Sequence, residues 1–259
     1  MDAKLRELAR RMLMDYDART PNQIFRQPLT LTIDEAYQLQ GEVGRLREQR
    51  GEKIIGYKVG CISTVIQQQL GISEPIFGRL FDTEYHSSGA RLSCANYANL
   101  AIEGEVAVRL REDVAATLRT DEDYLNCIDE MFPVVELHHY VLHSPEPSCQ
   151  ELIASNGMHA GFVSPEAQTR CSGLANFAHN LSIRINEVVV GAVEDAASLT
   201  CPIESLRWLV GRLAHFGLQL RKGQVILIGS PMKLYPVAPG SRIVVEALPL
   251  GASCVEIDP

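Results

Sequence analysis

No apolar run in this chain reaches the roughly 18 to 20 residues that a helix needs to cross a bilayer, which excludes a helical membrane span. Positive charge is also in short supply: 24 Lys and Arg stand against 32 Asp and Glu, a formal net charge of −8. Nucleic acids and anionic membrane surfaces are bound by clustered Lys and Arg, so neither is expected as the main partner. The opening residues Met1-Asp2-Ala3-Lys4-Leu5-Arg6-Glu7-Leu8 lack the apolar centre of a secretory signal. A C-x-x-C pair is missing as well. The seven cysteines are odd in number and widely scattered, which reads as reduced thiols in a cytoplasmic protein. Nucleophile elbows of the form G-x-S-x-G, P-loops and G-x-G-x-x-G turns are absent too, so the usual signatures of α/β-hydrolases and nucleotide-binding folds do not apply.

What is present is ample material for a core. With 259 residues, 46% of them hydrophobic, the chain can form one large domain. Leu5, Leu8, Met12 and Tyr16 recur at helical spacing, ending near Ala18 before a break at Arg19-Thr20-Pro21-Asn22. Thr32 and Glu35 form a capping box, after which Ala36, Leu39, Val43 and Leu46 keep one apolar face until Gly51. Residues 1–52 therefore read as a helical N-terminal region packed on the remainder, 53–259, with no linker between them.

From Ile54 onward the pattern changes to short β-prone runs at 54–60, 90–92, 100–110, 132–140, 159–164, 181–185, 188–193, 224–228, 242–248 and 252–257. Asn186-Glu187 sits where a two-residue hairpin turn would join two of them. Three helices interrupt the strands. One follows Thr120 with Tyr124, Leu125, Ile128 and Met131 as its buried stripe. A second opens at Ser148 with Glu151 completing a capping box, and a third starts at Pro202 and carries Leu206, Leu209, Val210, Leu213 and Phe216.

The chemistry concentrates in Asn99-Leu100-Ala101-Ile102-Glu103-Gly104-Glu105-Val106, where two acids lie two residues apart inside an apolar strand. Side chains at i and i+2 project from one face, so Glu103 and Glu105 point together, and Gly104 leaves the opposite face nearly bare. Oxygen ligands grouped this way suit Mg²⁺, Mn²⁺ or Ca²⁺ rather than zinc. The same pair would equally serve as the solvated face of an edge strand. A third acid of the same character, Glu136, lies within Phe132-Pro133-Val134-Val135-Glu136-Leu137. His138 shares its strand face and is not counted as a ligand, because three carboxylates already complete a hard-metal set. Lys58, in Gly56-Tyr57-Lys58-Val59-Gly60, is a lone cation in an apolar strand. Burial would lower its pKa and fit it for acid or base work, while a surface lysine would keep its head in water. Gly223-Gln224-Val225-Ile226-Leu227-Ile228-Gly229-Ser230-Pro231 either brings backbone N–H groups to an anion or is an ordinary strand ending in a turn.

Taken in register, Gly56-Tyr57-Lys58-Val59-Gly60, Gln67-Gln68-Gln69-Leu70-Gly71, Pro75-Ile76-Phe77-Gly78, Ile102-Glu103-Gly104-Glu105, Pro133-Val134-Val135-Glu136 and Gly223 to Ser230 resemble the 2-oxopent-4-enoate hydratase and 4-oxalocrotonate decarboxylase group of the fumarylacetoacetate hydrolase superfamily. The resemblance spans nearly the whole chain. It implies an α+β fold with a mixed β-roll core, Mg²⁺ or Mn²⁺ held by Glu103, Glu105 and Glu136, and Lys58 beside the substrate as acid, base or carboxylate binder. It also implies a homo-oligomer, possibly complexed with a related pathway enzyme, acting on a small 2-oxo acid in aromatic or related catabolism. The implied reaction is hydration of a 2-hydroxy-2,4-dienoate; decarboxylation or tautomerisation by the same fold, and a non-catalytic partner subunit, are the alternatives. Gln67-Gln68-Gln69-Leu70-Gly71 is closer to the hydratases.

Several positions depart from that family pattern. Ser155-Asn156 stands where Asp-Asn is usual, so Asn156 alone carries over as a substrate contact. Thr200-Cys201-Pro202 replaces Gly-His-Pro, and Leu227-Ile228-Gly229 replaces Leu-Thr-Gly. The expected Asp after Phe77-Gly78 aligns near Thr83, leaving Asp82 to take its catalytic place. Gly229, Ser230 and Lys233, in the segment ending at Tyr235, are expected to form the wall that reads the substrate carboxylate or tail.

Overall fold

In a computed structural model of the chain, the residues described are 3–21, 23–26, 30–114, 117–142, 147–166, 169–171, 173 and 177–259. Asn22, at the end of the expected break, lies outside them. Helix α1 (Ala3–Asp17) and helix α2 (Ile33–Gln49) form as their apolar stripes dictate. Leu5, Ala9 and Met12 bury against Leu39, Ile24, Leu31 and Ala154, with Val43 and Leu46 completing the contact. Thr32 Oγ1 accepts the Glu35 N–H at 3.2 Å while Glu35 Oε2 accepts the Thr32 N–H at 2.8 Å, the reciprocal cap expected from the sequence. The pair is fastened to the core by buried Gln40, whose amide donates to the carbonyls of Phe77 (2.9 Å) and Ile153 (2.7 Å).

Strands β1 (Ile54–Gly60), β2 (Ile76–Phe81), β3 (Tyr85–Ser87), β4 (Ala90–Ser93), β5 (Ala101–Leu110), β6 (Ile128–His138) and β7 (His159–Ser164) are followed by β8 (Thr169–Arg170), β9 (Leu181–Ile185), β10 (Val188–Val193), β11 (Val225–Leu227), β12 (Tyr235–Pro236), β13 (Arg242–Ala247) and β14 (Gly251–Asp258). They make two sheets. The nine-stranded one runs β2-β1-β11-β5-β6-β7-β3, with β12 on β5 and β8 on β6; the five-stranded one runs β10-β9-β13-β14-β4. Most neighbours are antiparallel, while β1–β11, β3–β7 and β4–β14 are parallel, so both sheets are mixed. Asn186 and Glu187, at φ 50° and 65°, close the two-residue turn between β9 and β10.

The remaining helices are α3 (Thr64–Leu70), α4 (Asp121–Asn126), α5 (Cys149–Ala154) and α6 (Pro202–His215). Ile128 and Met131 do not belong to α4, contrary to the sequence reading: the helix stops at Asn126 and both residues are on β6, facing the main core. Strand β2 and helix α3 were not anticipated. All six β2 residues are buried, so they show no alternation to read.

The two central strands explain the site. On β5 and β6, Ile102, Val106, Val108, Met131, Val135 and Leu137 face the main core toward the second sheet. On the other face, Ala107, Phe132 and Val134 join Leu80, Phe162, Val225 and Leu227 in a smaller core. That same face turns from apolar to ionisable farther along, through Glu105 and Glu103 on one strand and Glu136 and His138 on the other. The face left bare by Gly104 is filled by the second sheet: an added Cβ would fall 2.6 Å from Ile183 Cγ1 and 3.1 Å from Val245 Cγ2.

Candidate active site

Cross-strand register builds the cluster. Glu103 pairs with Glu136 and Ala101 with His138 in the antiparallel β5–β6 ladder, so two acids and an imidazole share one face. His138 Nε2 lies 3.3 Å from Glu103 Oε2 and 3.4 Å from Glu136 Oε2. The donor atoms of Glu103, Glu136 and His138 all fall within 4.8 Å of one another. Lys58 enters from β1. Its Nζ is 2.8 Å from Glu136 Oε1 and donates to the Gly157 carbonyl at 3.2 Å. Gly157 sits at φ +62°, which strains any other residue, and an added Cβ would lie 3.0 Å from Lys58 Cε, so the lysine stem would have to give.

Strand β11 stops at Leu227, and the turn that follows brings the Gly229 N–H to Glu105 Oε2 at 2.5 Å. Glu105 is wholly buried, and its Oε1 has no hydrogen-bond partner. Burial, reinforced by the charge of Glu136, pushes the Glu105 carboxyl well above the usual range. Glu136 takes the opposite direction: burial opposes its charge, but Lys58, His138 and His159 together hold it well below the ordinary value. Lys58 corrects the sequence expectation. Burial does disfavour its charge, yet Glu136, with Glu103 and Glu105 behind it, outweighs that and raises its pKa, so it stands as an ammonium.

Lys58, Glu103 and His138 open onto a cavity of about 740 Å³ whose other walls include Ile66, Leu70, Ile76, Leu152, Met158 and Leu234. Among the described residues, Lys58 is the one Lys or Arg on its lining.

Other residues singled out from the sequence are placed differently. Asp82 is exposed at the start of a short 3₁₀ turn, where Oδ1 accepts the Lys53 N–H at 2.9 Å, and it does not line this cavity. Asn156 spends both ends of its amide on Arg79, accepting from its N–H at 2.7 Å and donating to its carbonyl at 2.8 Å; this holds the turn that presents Gly157. Ser230 Oγ donates to the Gly104 carbonyl at 2.9 Å, bracing the acid-bearing strand, and opens with Thr200 and Cys201 onto a separate hollow of about 600 Å³. Thr200 Oγ1 donates to the Gly229 carbonyl at 2.8 Å. Lys233 is exposed, 5.4 Å from the centre of the Tyr235 ring. Of that segment, Leu234 reaches the cavity.

Sequence reasoning overlooked two buried groups, His159 and Glu84. His159 Nδ1 is 2.7 Å from Glu136 Oε1, and its Nε2 is 3.9 Å from Glu84 Oε2. No motif marks either of them, because they meet only when β7 and the 82–84 turn fold together.

The mixed sheets with an N-terminal helical region are the fold of the fumarylacetoacetate hydrolase superfamily. No family model matches the chain. It is 31% identical over 222 residues to 2-hydroxyhexa-2,4-dienoate hydratase of Comamonas testosteroni, covering 84% of each chain. To 4-oxalocrotonate decarboxylase of Pseudomonas putida it is 27% identical over 222 residues, 86% of this chain and 84% of the relative. Among solved structures, 4-oxalocrotonate decarboxylase from Pseudomonas putida G7, complexed with magnesium and adipate, superposes with a TM-score of 0.89 at 25% identity, over 98% of this chain and 97% of that one. The chain belongs to the 2-keto-4-pentenoate hydratase and 4-oxalocrotonate decarboxylase group.

Proposed function

We propose that this enzyme is a hydro-lyase that adds water to a 2-hydroxy-2,4-dienoate or the related unsaturated 2-oxo acid, with Mg²⁺ or Mn²⁺ held by Glu103, Glu105 and Glu136. The donor set fits such an ion. Carboxylate oxygens of Glu103 and Glu136 converge, with His138, within 4.8 Å, and Glu105 Oε1, outside that cluster, is buried without a partner. Bound there, a hard cation supplies a Lewis acid that polarises the C2 oxygen of a 2-oxo acid.

The chain's own groups supply the remainder. The Lys58 ammonium, anchored by Glu136 and the Gly157 carbonyl, faces the cavity and can hold a substrate carboxylate or hand a proton to the chain of the dienoate. Ile66, Leu70, Ile76 and Leu234 give the tail an apolar wall, interrupted by Gln69 and Tyr140. The observation that carries the choice of hydration is this lining. A 4-oxalocrotonate has a second carboxylate at its far end, and the described tail-side wall offers no Lys or Arg to meet it, whereas a monoacid with an apolar tail needs none.

Decarboxylation is the second reading, supported by the extent of the structural likeness to the decarboxylase. Purified protein with Mn²⁺ or Mg²⁺ and freshly generated 2-hydroxypenta-2,4-dienoate should remove the dienol absorbance without releasing CO₂. Trapped CO₂ from 4-oxalocrotonate, with no hydration of the dienoate, would replace the first reading by the second. Self-association into a homo-oligomer belongs to the same proposal, supported by Val188 and Val189, 63% and 57% exposed on the edge strand β10; gel filtration with light scattering tests it. A cytoplasmic location is supported by the seven cysteines, spaced without a C-x-x-C pair.

A further inference from the structure

His159 opens strand β7 and is fully buried, with its two ring nitrogens on one line of polar groups. Nδ1 lies 2.7 Å from Glu136 Oε1, the oxygen that also receives Lys58 Nζ at 2.8 Å. The other carboxylate oxygen, Oε2, is the one 3.4 Å from His138 Nε2, on the side of Glu103. The two oxygens of Glu136 are therefore divided between an inner pair of donors and the open side of the cluster. On its far edge His159 looks toward Glu84, which is fixed by the Tyr16 hydroxyl at 2.7 Å and by Arg47 Nη1 at 2.7 Å.

We infer that His159 is a positioning residue: it holds Glu136 Oε1 and so presents Oε2 to the cation. This rests on the cation site proposed above. Nδ1 is engaged while the buried Nε2 has no hydrogen-bond partner, so the ring is kept in spite of that cost; a residue needed only to fill this space beside Phe162 would be apolar. A carboxylate that binds an ion through one oxygen needs its other oxygen fixed, or rotation about its last torsion costs the ligand its aim. Lys58 divides its donors between this oxygen and the Gly157 carbonyl, so His159 is a second hold on Oε1. Beyond Nε2, which has no hydrogen-bond partner, Glu84 Oε2 stands 3.9 Å away, and Glu84 Oε1 accepts the Tyr16 hydroxyl from α1.

The test is Mn²⁺ titration of the full chain without substrate, followed by the loss of the free-ion electron paramagnetic resonance signal, alongside melting curves. His159→Asn keeps a donor near the Nδ1 position, His159→Gln places its amide toward the Nε2 position, and His159→Leu offers neither. The Leu and Gln variants are expected to weaken Mn²⁺ binding by about 10- to 100-fold, while Asn stays within about threefold of the parent. Leu binding as tightly as the parent, or Asn as weakly as Gln, would overturn the role. If the Leu variant does not fold, the contrast between Asn and Gln decides. A parent protein that binds no Mn²⁺ removes the cation site itself, whereas a binding parent with an unaffected Leu variant removes only the role of His159.

Discussion

Glu103 and Glu136 stand directly opposite one another across the β5–β6 ladder. Like charges in that relationship destabilise a sheet, so the fold gives up stability here for the sake of the site. Lys58 against Glu136 offsets part of the repulsion, and a divalent ion would offset more. Glu103→Gln, Glu105→Gln and Glu136→Gln should each weaken Mn²⁺ binding by at least tenfold in calorimetry, as loss of a charged ligand demands. His138→Asn should cost less, since hard ions prefer the oxygens. A His138 variant that binds worse than all three Gln variants would make the imidazole a ligand in place of one of the acids.

Lys58→Met keeps the aliphatic stem and removes the ammonium. Turnover should fall by about 10²- to 10⁴-fold, the range for a lost acid, base or charged anchor, while calorimetric Mn²⁺ binding persists. Because the Lys58–Glu136 pair is buried, the melting temperature should also drop. Unchanged turnover with only the melting temperature lowered would make Lys58 a packing residue.

Gly104→Ala puts a methyl group 2.6 Å from Ile183 Cγ1 and 2.9 Å from Ile183 Cδ1. Both belong to the second sheet, so the whole interface must give, and overpacking of this kind costs about 1–3 kcal/mol. Denaturant unfolding should show that loss, and the strand shift should misplace Glu103 and Glu105 enough to reduce Mn²⁺ affinity as well. Full stability in the variant would mean that the sheets are not closely fitted at this point.

Much of this was legible in the chain itself. Period-2 acids at Glu103 and Glu105, the capping boxes at Thr32 and Ser148 and the apolar stripe of α6 are local patterns, and each appears as read. What stayed hidden depends on distant segments meeting. Lys58 is raised rather than lowered because its counter-charges come from two other strands. Thr83 stands where an Asp was expected and Asp82 beside it faces solvent, while Glu84, two residues after Asp82, is the acid that turns inward. Ser230 carries a free-looking hydroxyl in sequence but gives it to the Gly104 carbonyl, a contact made only after β11 has paired with β5.

The last prediction concerns pH and the join between the helices and the sheet. Glu52 is buried against Arg47, whose Nη2 is 2.5 Å from Oε2; Thr83 donates to the same oxygen at 2.7 Å, and Arg50 meets Oε1. Burial disfavours its charge, but the hydrogen bonds from Arg47 and Thr83, with the arginine charges, prevail and lower its pKa from the ordinary 4.5. A carboxylate with a folded pKa below its unfolded one contributes stability that is fully present above about pH 4.5 and is lost as pH falls through the folded value. Glu52→Gln should therefore be less stable than the parent at pH 7, by about 3 kcal/mol as for one partner removed from a buried pair. Urea unfolding measured at pH 7, 5, 4 and 3.5 should show that gap unchanged down to about pH 5 and closing below about pH 4.5, because protonation then takes from the parent what the substitution has already taken. A gap that stays constant down to pH 3.5 would mean that Glu52 acts there through its shape and hydrogen bonds alone, and not through its charge.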